Sequence, residues 1–235
     1  QSGLTHEYFS AVLDSFKVEA EKRGYDITFI NHNISGRSMT YLEHCHYRSV
    51  DGVVIACVNF YDPQVVELVN SDVPVVTIDH VFNNRMAVLS DNVAGLKALV
   101  KQAWACGHRR IAFIHGEKTS VTENRIAGFY QACEELGLEI PEEYVRDGVY
   151  HDVERCAEET RALLALPQRP TCIIFPDDFS ALGGYNALAE AGLSIPDDIS
   201  VMGYDGIYLS RVVNPSLVTY QQNTACLLYT SDAAD

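Results

Sequence analysis

The chain has 235 residues, 47% of them hydrophobic and 21% charged, and carries a formal net charge of −15. That composition suits one large globular domain or two small ones, and no apolar run approaches the ~20 residues of a bilayer span. The acidity argues against a free-standing nucleic-acid binder, because phosphate contact needs clustered Lys and Arg, and the densest basic cluster is only His108-Arg109-Arg110.

In chain order the pattern alternates helix and strand. Tyr8 to Lys22 carries apolar residues at Phe9, Val12, Leu13, Phe16 and Ala20, a helical period stopped by Gly24. Tyr25 to Ile30 alternates like a strand, and Met39 to Arg48 reads as a short helix. Asp51 to Ala56 is a continuous apolar strand, the type buried on both faces of a parallel sheet. Pro63 to Asn70 is a helix and Val73 to Ile78 a strand. The cycle then repeats. Helices are expected over 93–105, 125–136, 153–166 and 179–191, with strands over 111–115, 172–175 and 199–202. Such alternation implies parallel sheets with right-handed crossovers.

The βα units are too many for one small sheet, and the chain is too short for an eight-fold barrel with ordinary loops. Two doubly wound lobes fit, with Met86 to Asp91 as a first crossing segment and Pro215 to Gln222 as a return crossing.

The stretch Ile195 to Asp205 is a turn feeding a buried strand. Pro196 fixes φ, Asp197 and Asp198 suit the turn, and Gly203-Tyr204-Asp205 ends the strand at a loop. An Asp just past a strand's carboxyl end, beside a Gly, is a common place to hold a small ligand. Followed by Asn214 to Gln222, this stretch resembles the sensor domain of LacI/GalR-type bacterial transcription repressors, which are similar to periplasmic sugar-binding proteins. Cys106 to Phe129 resembles the same family's central stretch, and Phe175 to Gly183 its strand-end motif.

The resemblance implies an α/β, periplasmic binding protein type I-like fold: two doubly wound parallel-sheet lobes with a ligand cleft between them. The expected domains are 1–88 as an N-terminal lobe, 91–214 as a C-terminal lobe, and 215–225 as the return crossing. The family's first strand would precede residue 1 and its last elements would follow residue 225. Gln1-Ser2-Gly3 is not an initiator start, and no signal peptide is visible. Residues 226–235 resemble the read-through translation of a sequencing adapter, a non-native tail.

Ligands in doubly wound sheets sit outside the carboxyl ends of strands. Polar residues at those ends are Asp79, the stretch Glu117 to Arg125, Tyr150, Asp177 with Asp178, and Asp205. The resemblance makes Arg125 a clamp for sugar hydroxyls, for which a guanidinium fork is suited. It makes Asp205 a hydroxyl acceptor, Tyr150 a platform for the apolar face of a sugar, and Asp79 a cleft residue. Asp177 stands where the family has Asn; a carboxylate accepts but cannot donate. Asp178 suits the cap of the following helix. Phe9 matches a cleft residue near the first helix, and Tyr8 adds a hydroxyl, whereas His6-Glu7 departs from the family pattern. Three carboxylates against one Arg point to a neutral or cationic effector. Replacing Arg125 is expected to abolish ligand response and leave the fold intact.

Seven cysteines occur, none in C-x-x-C spacing, which reads as buried reduced thiols in a cytoplasmic protein. His44-Cys45-His46 does not make a metal site on a helix, since neighbours two apart point away from each other. Phosphate-loop, dinucleotide, nucleophile-elbow and zincin motifs are missing from the sequence.

The function expected is therefore that of a non-enzymatic effector sensor without cofactor or metal. Its partners would be a small-molecule effector, most simply a sugar, and a second copy of the chain. Operator DNA would be reached only through an absent N-terminal helix-turn-helix module, and no membrane is involved. A transporter's periplasmic sugar-binding protein is the alternative on the same fold. The cysteines and the GHRRIAFI and NPSLVTYQQ stretches argue against it. An enzyme on a similar scaffold is a further alternative, which turnover assays would separate from a sensor.

Overall fold

The computed structural model describes residues 7–34 and 36–223. The described residues divide into two units, one of residues 7–34 and 36–90 with 223 and one of residues 91–222.

The first unit opens with α1 (Glu7–Lys22), followed by a short antiparallel pair, β1 (Asn33–Ile34) and β2 (Arg37–Ser38). Then come α2 (Tyr41–Arg48), β3 (Val53–Ile55), α3 (Pro63–Val69), β4 (Val75–Ile78) and β5 (Met86–Val88). β3, β4 and β5 form a parallel three-stranded sheet in that order. α2 starts at a reciprocal cap: Thr40 Oγ1 accepts from the Glu43 N–H, and the Glu43 carboxylate accepts from the Thr40 N–H. Asp62 caps α3 just ahead of Pro63, which fits a first helical turn without needing its N–H. Val12 of α1 packs with Ile78 and Val88, while Cys45, Ile55, Val65, Leu68 and Val75 form a second cluster.

One expected strand does not form. Tyr25–Ile30 alternates correctly, but it has no ladder partner among the described residues, and Tyr25 and Phe29 are exposed. Alternation supplies a face; a strand also needs a neighbour for its N–H and C=O groups.

The second unit runs α4 (Asn92–Ala105), β6 (Ile111–His115), α5 (Ser120–Glu135), a 3₁₀ turn (Glu142–Tyr144) and β7 (Val145–Asp147). It continues with α6 (Val153–Leu164), β8 (Cys172–Ile174), α7 (Ala181–Glu190), β9 (Ser200–Asp205), α8 (Leu209–Val212) and β10 (Val218–Gln221). All pairings are parallel, in the order β10-β9-β8-β6-β7. Counted within the unit this is 2-1-3-4-5, a doubly wound order whose direction reverses at β6.

Residues alternate across the strands as a two-faced buried sheet requires. Ile111, Phe113, Cys172 and Ile174 face α4 and α5, packing on Leu96, Leu99, Phe129 and Ala132. Ala112, Ile114, Ile173 and Phe175 face the other way, onto Cys156, Leu163, Ala181 and Leu188 of α6 and α7. The helix pairs approach backbone to backbone through glycine. A Cβ on Gly183 would lie 2.3 Å from the Val153 carbonyl oxygen, and one on Gly128 would lie 2.4 Å from that of Val93.

The units divide between 222 and 223, within the expected return crossing, and part of that segment is also a strand. Residues 218–221 are the edge strand β10, paired with β9 from Met202 to Asp205, and the second unit keeps the chain through Gln222. Thr219 and Tyr220 find hydrogen-bonding partners along β9, which a bare crossing segment would lack. Met86–Val88 likewise serves as the third strand of the first sheet, ahead of the division at Ser90.

Cys45, Cys133, Cys156 and Cys172 are buried and Cys57 and Cys106 exposed, with no disulfide among the described residues. Burial pushes the Cys133 and Cys156 thiols up to about 11 and Cys172 to about 12, so these thiols stay protonated at neutral pH. Cys226 and the suspected tail lie outside the described residues. Among those residues no helix is long and apolar enough to cross a membrane.

Candidate functional site

The carboxyl ends of β6, β7, β8 and β9 bring four of the expected residues together inside the second unit. Arg125 is in the second turn of α5, whose N-terminus is capped by Thr119. The side chain is 5% exposed. Its Nε donates to Asn92 Oδ1 at 2.8 Å, and Nη1 donates to the Pro176 carbonyl at 2.7 Å. The guanidinium carbon lies 3.7 Å from the centroid of the Tyr204 ring and 5.6 Å from that of Tyr150. Two hydrogen bonds and an aromatic face thus fix a fork that would otherwise sweep many rotamers.

Asp205 ends β9 with φ 107, a conformation uncommon for a residue with a side chain. Its Oδ1 lies 4.0 Å from Arg125 Nη2 and accepts from Gln222 Nε2 at 2.6 Å. Burial pushes the carboxyl up to about 7; Arg125 and the Gln222 bond pull it down, while Asp177 and Asp178 push it up. At 4.0 Å the guanidinium is at the outer limit of an ion pair, so it offsets only part of the desolvation.

Asp178 is also raised, to about 6, chiefly by burial, against a bond from the Ile207 N–H at 2.9 Å. Its expected cap role is not seen: α7 has Ser180 at its N-cap with no side-chain cap bond, and Asp177 Oδ1 accepts from the Ser180 N–H at 2.7 Å. Asp177 also accepts at Oδ2 from the Ser180 hydroxyl at 2.7 Å and from the His151 N–H at 2.9 Å. Burial raises this carboxyl, but its bonds to His151 and Ser180 outweigh burial and hold it below the ordinary range.

Tyr150 follows β7. Its hydroxyl is 2.9 Å from Thr122 Oγ1, and its N–H donates to Glu117 Oε2 at 2.8 Å. Burial raises the phenol further above its ordinary range, so it remains a neutral hydroxyl.

The remaining expected residues belong to the first unit. Asp79 follows β4 with φ 60, and its Oδ1 accepts from the Ser90 N–H at 2.9 Å. Phe9 is a partly buried residue of α1; Tyr8 lies in the first turn of that helix, with its side chain outside the described set. The ends of β3 and β4 also carry a cluster that the sequence did not disclose. Phe60 stacks on His80 at 4.4 Å, and Phe82 meets His80 edge-on at 4.7 Å.

Sequence reasoning passed over Asn92, Tyr204, His151 and Gln222 as site residues, and placed Glu117 at a strand end without giving it a role. Tyr204 could have been found, since it directly precedes Asp205 at the strand end Gly203-Tyr204-Asp205. Asn92 could not, because its link to Arg125 spans 33 positions of sequence. His44 is buried and bonded to the Asn31 backbone, while His46 is near Asp72, and no cluster of metal-ligating residues forms among the described residues.

The family model of the periplasmic binding protein-like domain matches residues 100–230. The repressor PurR of Mannheimia succiniciproducens is 31% identical over 225 residues, covering 94% of this chain and 67% of the relative. Its counterpart in Haemophilus influenzae strain Rd is 31% identical, covering 92% of this chain and 65% of the relative. This chain belongs to the LacI/GalR family. It is the effector-binding, periplasmic binding protein-like domain of that family and spans about two thirds of the length of these curated relatives. Solved LacI-family structures agree. A regulatory protein from Chloroflexus aggregans aligns with TM-score 0.81 and 28% identity, covering 97% of this chain and 83% of that one. An Enterococcus faecium regulator with bound ribose aligns with TM-score 0.80 and 26% identity, covering 97% and 84%. The relatives named here are transcriptional repressors, which favours a regulator's domain over a transporter's binding protein.

The raised carboxyls of this LacI/GalR domain make its stability pH-dependent. Between about pH 4 and 7 the native state keeps a proton on Asp205 that the unfolded chain has lost. Stability therefore falls as pH rises through that window, and Asp178 adds to the trend up to about 6. Asp205→Asn is expected to flatten this slope. The displacement corresponds to on the order of 2–4 kcal/mol between pH 5 and pH 8. Urea unfolding of both proteins at the two pH values checks it, and parallel slopes would refute the assignment.

Proposed function

We propose that the chain senses a neutral, polyhydroxylated effector, most simply a sugar, at the carboxyl ends of the second unit's strands. The observation that carries this is Arg125, held by Asn92, Pro176 and Tyr204 at the reversal point of the sheet, with Tyr150 and Asp205 beside it. Guanidinium and carboxyl groups bond hydroxyls, and an aromatic face covers apolar ring carbons. The ribose bound by the Enterococcus faecium regulator supports a sugar.

The charge count from the sequence changes its basis. Asp79 belongs to the first unit, Asp177 is engaged by His151 and Ser180, and Asp205 titrates near neutrality. His151 is matched by Asp177, and Arg125 shares its surroundings with Asp205 and Asp177, so the one guanidinium faces more carboxyl groups than it can serve, which favours a neutral effector over a phosphorylated one.

In this reading Phe9, Tyr8 and Asp79 contribute to effector binding from the first unit. Effector binding shifts a cytoplasmic homodimer between operator-bound and released states, with DNA contacted through an N-terminal helix-turn-helix module. No reaction is catalysed, and no cofactor is used.

A thermal-shift screen tests the ligand class, because a ligand that binds only the native state raises the melting temperature. D-Ribose, D-glucose and D-galactose are compared with ribose 5-phosphate and glucose 6-phosphate. A shift with at least one free sugar and none with the phosphates is expected. Stabilisation by the phosphates alone would sink the proposal.

A further inference from the structure

One carboxylate stitches the turn after β7 to the turn after β8. Asp177 is 1% exposed. It accepts from the Ser180 N–H, the Ser180 hydroxyl and the His151 N–H, and its Oδ1 lies 3.4 Å from His151 Nδ1. A carboxylate has about four lone-pair directions, and these partners occupy them. Little capacity is left for a ligand hydroxyl.

His151 is the partner of that carboxylate. Its φ is 59, in the left-handed region that few residues other than glycine adopt. Its side chain is 31% exposed, at the same strand ends as Tyr150, whose ring centroid is 6.3 Å away. Strain of this kind persists only where the surroundings over-determine it. Here Asp177 holds the His151 N–H and Glu117 holds the Tyr150 N–H.

A carboxylate at position 177 fits this arrangement. An Asn has a single oxygen and would turn an NH₂ group toward one of these donors.

We propose that His151 is the side chain with which these turns read the effector, and that Asp177 is its positioning residue. The proposal rests on the ligand-binding reading above and names a specificity determinant within it. A ring whose Nδ1–H points at Asp177 presents an Nε2 acceptor when neutral and an Nε2–H donor when charged. The groups facing it are Asp177, Asp205 and Glu117. Burial lowers the imidazole pKa, but the Asp177 bond and these three charges outweigh burial and raise it. The charged form is therefore favoured in the native state to a higher pH than for an ordinary histidine.

Imidazole NMR of the whole chain tests the positioning role without any ligand. The His151 resonance is assigned by its loss in His151→Gln. Its midpoint is expected above 6.5 in the parent chain and at or below 6.5 in Asp177→Asn. An unchanged midpoint in Asp177→Asn would overturn the proposal. Should that variant fail to fold, Ser180→Ala removes one partner of the carboxylate, so Asp177 should hold the imidazolium more tightly. The midpoint should then rise, and no movement would overturn the proposal equally.

The second arm adds D-ribose, D-glucose and D-galactose singly. A sugar that raises the melting temperature should displace the His151 resonance and lose about tenfold or more in affinity for His151→Ala. Stabilisation with no displacement would overturn the role of His151. If no sugar stabilises the parent chain, the sugar reading fails, and the proposal stands or falls on the Asp177 arm.

Discussion

Arg125→Ala is expected both to abolish stabilisation by any sugar that protects the parent chain and to weaken the second unit by about 2–4 kcal/mol. The first effect follows from removing the charge-assisted donors of the site, each worth roughly 1.5–3 kcal/mol. The second corrects the expectation from sequence that the fold would be untouched. Arg125 is nine-tenths buried and ties α4, through Asn92, to the turn after β8, through the Pro176 carbonyl. Its loss leaves both acceptors unmet, strips the Tyr204 ring of its cation, and leaves Asp205 without an opposing charge. Arg125→Lys restores the charge but not the fork, so it should recover part of the stability and little of the binding. Calorimetric titration and urea unfolding of the three proteins separate the effects. Unchanged affinity in Arg125→Ala would remove this residue from the site.

Gly183→Val is expected to cost about 3 kcal/mol or more, because it overpacks a helix contact that cannot yield. The added Cβ would meet the Val153 carbonyl oxygen at 2.3 Å and the Ala157 nitrogen at 2.6 Å, both backbone atoms of α6. Relief requires α6 and α7 to separate, which opens the packing of Cys156, Leu163, Ala181 and Leu188 against β6 and β8. A neighbouring exposed substitution, Ala189→Ser, should move the urea midpoint within about 0.5 kcal/mol. A Gly183→Val midpoint equal to the parent's would show that the helices are not held at this distance.

The alternation of helix and strand, the parallel sheets and the carboxyl-end placement of Arg125, Tyr150, Asp177 and Asp205 were legible in the sequence. The reason is that these depend on local periodicity and on a topological rule. Apolar strands such as 111–115 and 172–175 carry two-faced burial in their own residues, and a parallel sheet places its loops at one end whatever the partners are.

Partnership was decided only by the tertiary structure. Tyr25–Ile30 has the pattern of a strand and no neighbour among the described residues, whereas Val218–Gln221, expected as a crossing, finds β9. Arg125 is clamped by Asn92 and Pro176, 33 and 51 positions away, and Asp177 is engaged by His151, 26 positions away. Residue type alone cannot say whether a carboxylate keeps its lone pairs for a ligand or gives them to its own fold. Hydrogen-bond capacity is fixed by the side chain, but the groups that fill it are supplied by contacts between elements far apart in the chain.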